Sequence, residues 1–333
     1  MRWTFGNAAR PGRLLLGIAI SGGFLYLALR GVALPQVWRR LELARPGPLG
    51  LAICVAAASN LFRALRWKII LGSDVPVRLR HVFTSMMIGY LVNNLLPARV
   101  GELVRLYALD RTAGVSKSTS AATVILERLV DILVLLVLLL LVSISLPLPD
   151  IVRSGSRLAF AVFVAFATLL LLLARRDRSA VQRAMRRIGW PSSAAGQRLE
   201  NVLDRFLDGL GILRSGRRAL LTLALSLVIW CVEALWVGLV MTSLGLSLPW
   251  TASFLLVSAL TLSFIIPAAP GALGTYEFLV VTVLTLLAVQ SAQAVGLAVV
   301  LHTVAYLTST ALGLACLWAE SLSLRELVAK SRT

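Results

Sequence analysis

Two glutamates in apolar sequence are the residues best placed to do chemistry. Glu277 is the only Asp, Glu, Lys or Arg between Glu233 and Glu320, and Glu102 follows a similar sequence break in the first half of the chain. A carboxylate in hydrocarbon costs about 3 kcal/mol or more, so its retention requires a partner or a function. Two such sites, one in each half, are typical of a transporter site built from an inverted repeat.

A proline- and glycine-containing break precedes each glutamate. Proline ends the preceding helix, and glycine allows close backbone approach. A helix that begins near the bilayer midplane directs its free N–H groups towards an anionic headgroup such as a phosphate. The alternative is an ordinary kinked span with glycine for packing; the duplication favours a site. The break residues are Pro97, Gly101, Pro267, Pro270, Gly271 and Gly274.

Five charged residues in the first half form a second candidate feature. Glu102 and Arg105 are three residues apart and can pair on one helix face. Glu127, Arg128 and Asp131 follow on the next predicted helix, with both carboxylates on one face. These residues either line a binding site or form internal ion pairs that fix helix register, because charges within a membrane must be paired in any case.

The partner of Glu277 is predicted to come from the first half, because the second half offers no nearby Lys or Arg. Its candidates are Arg99, Arg105 and Arg128. His302 aligns with Arg128 when the two halves are compared in sequence. A lone histidine on an apolar face predicts a hydrogen-bonded packing residue, with lining of the pocket as the alternative.

Other polar residues have predicted positions near these features. Asn93 and Asn94 precede the first break and could satisfy its free backbone groups or line the pocket. Arg63 and Arg66 are expected to extend to the cytoplasmic interface rather than to a lipid phosphate.

Composition indicates an all-α integral membrane protein, a polytopic helical bundle. Of 333 residues, 58% are hydrophobic and 14% are charged, a balance that soluble domains do not have. The net charge of +18, from 33 basic and 15 acidic residues, indicates basic cytoplasmic loops rather than nucleic-acid binding. No nucleophile, metal-ligand or dinucleotide motif is present, so we expect no cofactor and no enzyme activity.

We predict one membrane domain, 1–333, made of two inverted repeats, each with a broken and possibly re-entrant helix pair. The first half is 1–174, an arginine-rich amphipathic cytoplasmic linker is 175–218, and the second half is 219–333. Both chain ends are predicted to be cytoplasmic. The predicted helical segments are 14–32, 48–70, 80–96, 100–113, 118–146, 156–174, 218–244, 250–267, 274–289 and 292–319.

Two motifs resemble the membrane region of lysylphosphatidylglycerol synthases. They are the segment from Asn93 to Arg105 with the later Glu-Arg-Leu-Val-Asp of 127–131, and the segment from Pro267 to Glu277. The resemblance covers nearly the whole chain and implies lipid translocation between leaflets. It argues against aminoacyl transfer, because little sequence follows the last predicted span. His302 departs from the arginine expected there.

We therefore expect a flippase of the bacterial inner membrane that moves an anionic phospholipid or a lipid-linked saccharide. The alternatives are an accessory membrane subunit of a lipid- or glycan-modifying enzyme and, with least support, a membrane transferase. The expected partners are membrane lipids with anionic headgroups, or that enzyme. Glu102, Arg105, Glu127, Arg128, Asp131 and Glu277 would line or brace the site.

Overall fold

Every regular element in the part of the chain that the structure describes is helical, as predicted. The computed structural model describes residues 11–72, 75–96, 99–146, 148–175, 216–262 and 269–320. The helices are α1 (Pro11–Leu29), α2 (Leu34–Glu42), α3 (Pro46–Leu71), α4 (Leu79–Leu95), α5 (Gly101–Ala113), α6 (Lys117–Ser145), α7 (Asp150–Arg175), α8 (Gly216–Ser243), α9 (Trp250–Leu262), α10 (Thr275–Leu286) and α11 (Ser291–Ala319), with a 3-10 turn at Pro270–Ala272.

Several helices have the length and composition of membrane spans. α3, α8 and α11 are each long and apolar enough to cross a bilayer, and α1 with α2, bent by 80°, would count as a fourth. Large apolar side chains also point outwards, as at Ile144, Ile151 and Trp318. A surface this apolar is stable against lipid rather than water. The chain is a membrane protein.

The two sequence breaks divide short helices from one another. α5, α9 and α10 contain 13, 13 and 12 residues, and at 1.5 Å per residue each is about 20 Å long or shorter. The hydrocarbon core is about 30 Å thick, so none of them is long enough to cross it alone within the residues that the structure describes. Glu102 and Glu277 each lie in the first turn of the short helix that follows a break.

Glycine allows α4 and α5 to form a tight antiparallel hairpin. A Cβ atom added to Gly101 would lie 1.9 Å from the Gly89 carbonyl oxygen, and one added to Gly89 would lie 2.9 Å from the Arg105 Cβ. The two backbones are therefore in direct contact. The hairpin fixes where the first turn of α5 lies.

Helices of the first half pack on helices of the second half. α3 lies along α8, α4 packs on α11, and α6 packs on α9. The main hydrophobic core, around Val134, Leu135, Val237, Leu256 and Leu297, joins α6 to the second-half helices.

Some sequence predictions differ from the structure or lie outside it. The helix α2, with Arg39 and Arg40 in its last turn, was not predicted. α7 begins at Asp150 rather than at 156. The predicted linker 175–218 lies almost wholly outside the described residues, as do Pro97 and Pro267.

Candidate functional site

Four buried side chains from three helices form a network of ion pairs. Arg66 of α3 donates from Nη2 to Oε1 of Glu127 at 3.0 Å and to Oδ2 of Asp131 at 3.1 Å. Arg105 of α5 donates from Nη2 to the other oxygen of Glu127 at 2.8 Å. Their side chains are 0–1% exposed. Two cations thus share the two carboxylates of α6.

Two further residues close this network into a ring. Glu102 lies 3.3 Å from Arg105 Nε and 3.4 Å from Arg128 Nη2, and Arg128 Nη1 lies 3.8 Å from Asp131. Positive and negative side chains alternate around it, and its formal charges sum to zero. We call this set the charge ring; its members are Arg66, Glu127, Arg105, Glu102, Arg128 and Asp131.

The charge ring has a closed side and an open edge. Glu102 and Arg128 are 28% and 33% exposed, whereas the other four members are almost fully buried. The open edge, formed by Glu102 and Arg128, begins at the first turn of α5.

Neighbouring side chains hold the buried side of the charge ring in place. The Arg105 guanidinium lies 4.4 Å from the ring centroid of Trp67, whose Nε1 donates to the Thr123 hydroxyl at 3.0 Å. Arg66 also donates to the Ser226 hydroxyl of α8 at 2.9 Å. The charge ring therefore connects α3, α5 and α6 of the first half to α8 of the second.

The prediction that Arg63 and Arg66 extend to the membrane interface is wrong. Arg66 is fully buried in the charge ring. Arg63 donates from Nη2 to Glu233 Oε1 at 2.9 Å, and the Ser59 hydroxyl donates to the same oxygen at 2.8 Å. Burial is favoured because each guanidinium meets a carboxylate from another helix. Sequence reasoning missed Glu233 as the partner of Arg63, although a single carboxylate within the apolar helix α8 was the available signal.

Glu277 has a partner within its own half. Its Oε1 lies 2.6 Å from Nδ1 of His302 on α11, and its Oε2 accepts the Gly274 N–H at 2.7 Å. The other ring nitrogen of His302 lies 2.8 Å from the Gly271 carbonyl oxygen. The prediction of a first-half arginine as partner is therefore wrong, because a histidine supplies the nitrogen that the search for Lys and Arg excluded.

The two halves hold these glutamates in equivalent ways. Each lies in the first turn of a short helix and pairs with a nitrogen-containing side chain on the long helix that follows. Glu102 pairs with Arg128, and Glu277 pairs with His302. The sequence alignment of Arg128 with His302 is thus matched by their contacts. His302 is hydrogen-bonded and buried, as predicted for a packing residue, but its contact with Glu277 was not predicted.

Asn93 and Asn94, at the end of α4, form side-chain hydrogen bonds to α5 and α11. Asn93 accepts the Gly101 N–H at 2.8 Å through Oδ1 and so satisfies a free backbone group of the first break. Asn94 donates to the hydroxyls of Ser309 and Thr310 on α11, both at 2.9 Å. These contacts place the end of α4 against α11.

Backbone geometry at the breaks favours glycine. Gly271, after Pro270 in the 3-10 turn, has φ +67°, and Gly274 has φ +84°, in the left-handed region where a Cβ causes strain. Arg99 has φ +55° at the first break and lies within electrostatic range of Arg128 and Glu102. No group of three or more His, Cys, Asp or Glu within the described ranges could hold a metal ion.

These features define a polytopic helical membrane protein with balanced charges in its interior. The chain belongs to the lysylphosphatidylglycerol synthase transmembrane-region family, whose model matches residues 14–313. The resemblance drawn from the two motifs is thereby confirmed.

Curated relatives of the chain come from archaea. A UPF0104 membrane protein of Methanothermobacter thermautotrophicus is 26% identical over 271 residues, covering 76% of this chain and 79% of that protein. A second UPF0104 membrane protein of that organism is 26% identical over 278 residues, covering 80% and 81%. Glycosyltransferase AglD of Haloferax volcanii is 26% identical over 295 residues, which is 78% of this chain but 47% of AglD.

Proposed function

We propose that this protein moves an anionic phospholipid or a lipid-linked saccharide between the leaflets of the bacterial inner membrane. The observation that carries the proposal is the open edge of the charge ring. Glu102 and Arg128 remain about one-third exposed at the first turn of α5, while the rest of the charge ring is buried. A purely structural ion-pair network has no need of such an edge.

The chemistry of this edge suits a phosphate. Arg128 supplies an accessible guanidinium, and Arg99 lies nearby. Arginine binds phosphate through charge-assisted hydrogen bonds in a planar fork. The buried Nη1 of Arg105 has no hydrogen-bond acceptor among the described residues, and a phosphate oxygen or a bridging water would supply one. Glu102 would be displaced from Arg128 as the headgroup enters.

The helix pairing supports an inverted repeat, which is part of the proposal. α3 to α6 would correspond to α8 to α11, so that α3 and α8 meet at the pseudo-symmetry axis while α4–α11 and α6–α9 are equivalent contacts. Both chain ends would then be cytoplasmic. Two broken helix pairs entering from opposite faces would let a headgroup pass from one leaflet to the other.

A second function is favoured by one comparison. AglD is named a glycosyltransferase, and the similarity covers about half of its length. This chain would then be an accessory membrane subunit that positions a lipid or glycan substrate for a separate enzyme. In that case all of the charge ring is structural, and we assign no bond-making chemistry to the chain.

Lipid movement by the purified chain tests the proposal. In proteoliposomes carrying a fluorescent, tail-labelled anionic lipid, the protein should speed the transfer of inner-leaflet label to the outer leaflet, where a membrane-impermeant quencher reaches it. Arg128→Gln should slow this movement by about tenfold or more, because a hydrogen bond to a charged group contributes about 1.5–3 kcal/mol. Thermal stability should change less than for the loss of a fully buried member, because Arg128 is 33% exposed while Glu102 keeps Arg105 and Asp131 keeps Arg66 as partners.

Arg80→Gln is the matched control. Arg80 pairs with Glu320 and is 68% exposed, so its loss removes one positive charge away from the charge ring. Lipid movement by the wild-type protein no faster than in protein-free liposomes would refute the flippase proposal and leave the accessory subunit. Equal slowing by Arg80→Gln and Arg128→Gln would show that the rate of lipid movement depends on the total charge of the protein and not on the open edge.

A further inference from the structure

The contacts of His302 determine how many protons the Glu277–His302 pair holds. The Gly271 carbonyl can only accept, so Nε2 of His302, at 2.8 Å, must carry a hydrogen. The other ring nitrogen of His302, Nδ1, lies 2.6 Å from Oε1 of Glu277. A neutral Nδ1 and an ionised carboxylate are both acceptors and cannot form this hydrogen bond. One further proton must therefore lie between them.

The remaining contacts of Glu277 leave only that place for the proton. Its Oε2 accepts the Gly274 N–H at 2.7 Å and so needs no hydrogen of its own. The pair is therefore either an imidazolium with a carboxylate or a neutral imidazole with a carboxylic acid. Both forms contain the same single proton, and both have zero net charge. Removing that proton leaves two lone pairs facing each other, which separates the side chains.

The equivalent pair of the first half has no such property. Arg128 faces Glu102 in the position where the second half has His302. Arginine remains protonated in proteins, whereas histidine gains and loses a proton near neutral pH. The two pairs therefore differ in one respect: Arg128 carries a fixed charge, whereas the Glu277–His302 pair holds a removable proton.

Tyrosine rings and an uncharged asparagine lie around the Glu277–His302 pair. His302 stacks on Tyr276 of α10 at 4.5 Å and meets the edge of Tyr306 at 6.2 Å. Tyr276 also lies within electrostatic range of Glu233 of α8. On the side of α4, the 3-10 turn at Gly271 faces the backbone carbonyl of the uncharged Asn94. The side chains of His302 and Glu277 are both 10% exposed, which leaves a path for proton exchange.

We propose that the Glu277–His302 pair is a proton-binding site that couples lipid movement to a transmembrane proton gradient. The pair binds one proton when Glu277 and His302 are in contact and releases it when α10 moves relative to α11. The coupling rests on the proposed lipid-transport function, whereas the proton-binding site itself does not.

Nuclear magnetic resonance can detect the proton of the Glu277–His302 pair directly, without a lipid-transport assay. The chain has two histidines, His81 and His302, so a His81→Gln variant in lipid nanodiscs gives one imidazole signal. With 15N-labelled histidine and 13C-labelled glutamate, we expect one proton, on either Nδ1 or the Glu277 carboxyl, when the two side chains are in contact. In Glu277→Gln at the same pH, Nδ1 should lose its proton. An ionised Glu277 in contact with an unprotonated Nδ1 in the folded wild-type protein would overturn the site.

A gradient experiment then tests the coupling. One pH unit is a tenfold ratio of proton activity, so a gradient of one unit should change the lipid-movement rate of the wild-type protein by up to about tenfold relative to no gradient, in opposite senses for the two directions. His302→Arg copies the first half: it keeps a donor for Glu277 and Gly271 but cannot release a proton. This variant should move lipid with no dependence on the gradient, and Glu277→Gln should also lose the dependence.

The outcomes separate the two proposals. Gradient-independent lipid movement by the wild-type protein would overturn the coupling and leave the flippase function intact. The same result follows if His302→Arg and Glu277→Gln respond to the gradient as the wild-type protein does. Absence of any lipid movement would refute the flippase function and the coupling together, while the resonance experiment still decides whether the pair binds a proton.

Discussion

Glu127→Ala is expected to lower the free energy of unfolding by about 3–5 kcal/mol, the cost of leaving a buried charge without its partner. Glu127 accepts hydrogen bonds from both Arg66 and Arg105, and all three side chains are at most 1% exposed. Without the carboxylate, five charges of the charge ring remain, with an uncompensated positive charge and no water to solvate it. Chemical or thermal unfolding in detergent or nanodiscs measures the loss.

Arg80→Ala provides the control for this prediction. It breaks an ion pair with Glu320 whose arginine is 68% exposed, and exposed pairs contribute about 0–1 kcal/mol. A loss for Glu127→Ala no larger than that for Arg80→Ala would show that the buried carboxylate does not stabilise the fold.

A paired substitution checks the physical reason. Arg66→Met combined with Glu127→Met removes one cation and one anion that contact each other, so the remaining charge ring stays balanced. We expect the double variant to be more stable than Glu127→Met alone, because apolar replacements of a complete buried pair are often tolerated. Strictly additive losses would argue against charge balance as the cause.

Gly101→Ala is expected to reduce stability by about 3 kcal/mol, the upper end of the range for overpacking. The added Cβ would lie 1.9 Å from the Gly89 carbonyl oxygen and 2.5 Å from the Asn93 Oδ1. Asn93 can rotate away, but the Gly89 oxygen belongs to a helix backbone and cannot. The first turn of α5 would have to move, and Glu102 with it, so lipid movement should fall as well as the unfolding temperature.

Gly50→Ala is the matched control. Gly50 lies within α3, and a Cβ there meets no atom within 4 Å. Alanine in a helix interior is favoured over glycine by roughly 0.5–1 kcal/mol, so this variant should be as stable as the wild type or slightly more so. Equal effects of the two substitutions would contradict the close approach of α4 and α5.

The sequence alone determined the helical class and the positions of the breaks. Both depend on local properties: apolar runs need internally satisfied backbone, and proline with glycine inside an apolar run interrupts a helix. The start of α5 at Gly101 and of α10 beside Gly274 follow from this. Local spacing also predicted the pairing of Glu102 with Arg105, three residues apart on one helix.

Only the tertiary structure decided which charges meet across helices. Arg66 pairs with residues 61 and 65 positions away, and Arg63 pairs with Glu233, 170 positions away. Helical periodicity places a side chain on a face, but it does not tell which other helix packs against that face. The same limit explains the Glu277–His302 pair, because the sequence does not show that packing brings this histidine to a carboxylate and a carbonyl at once.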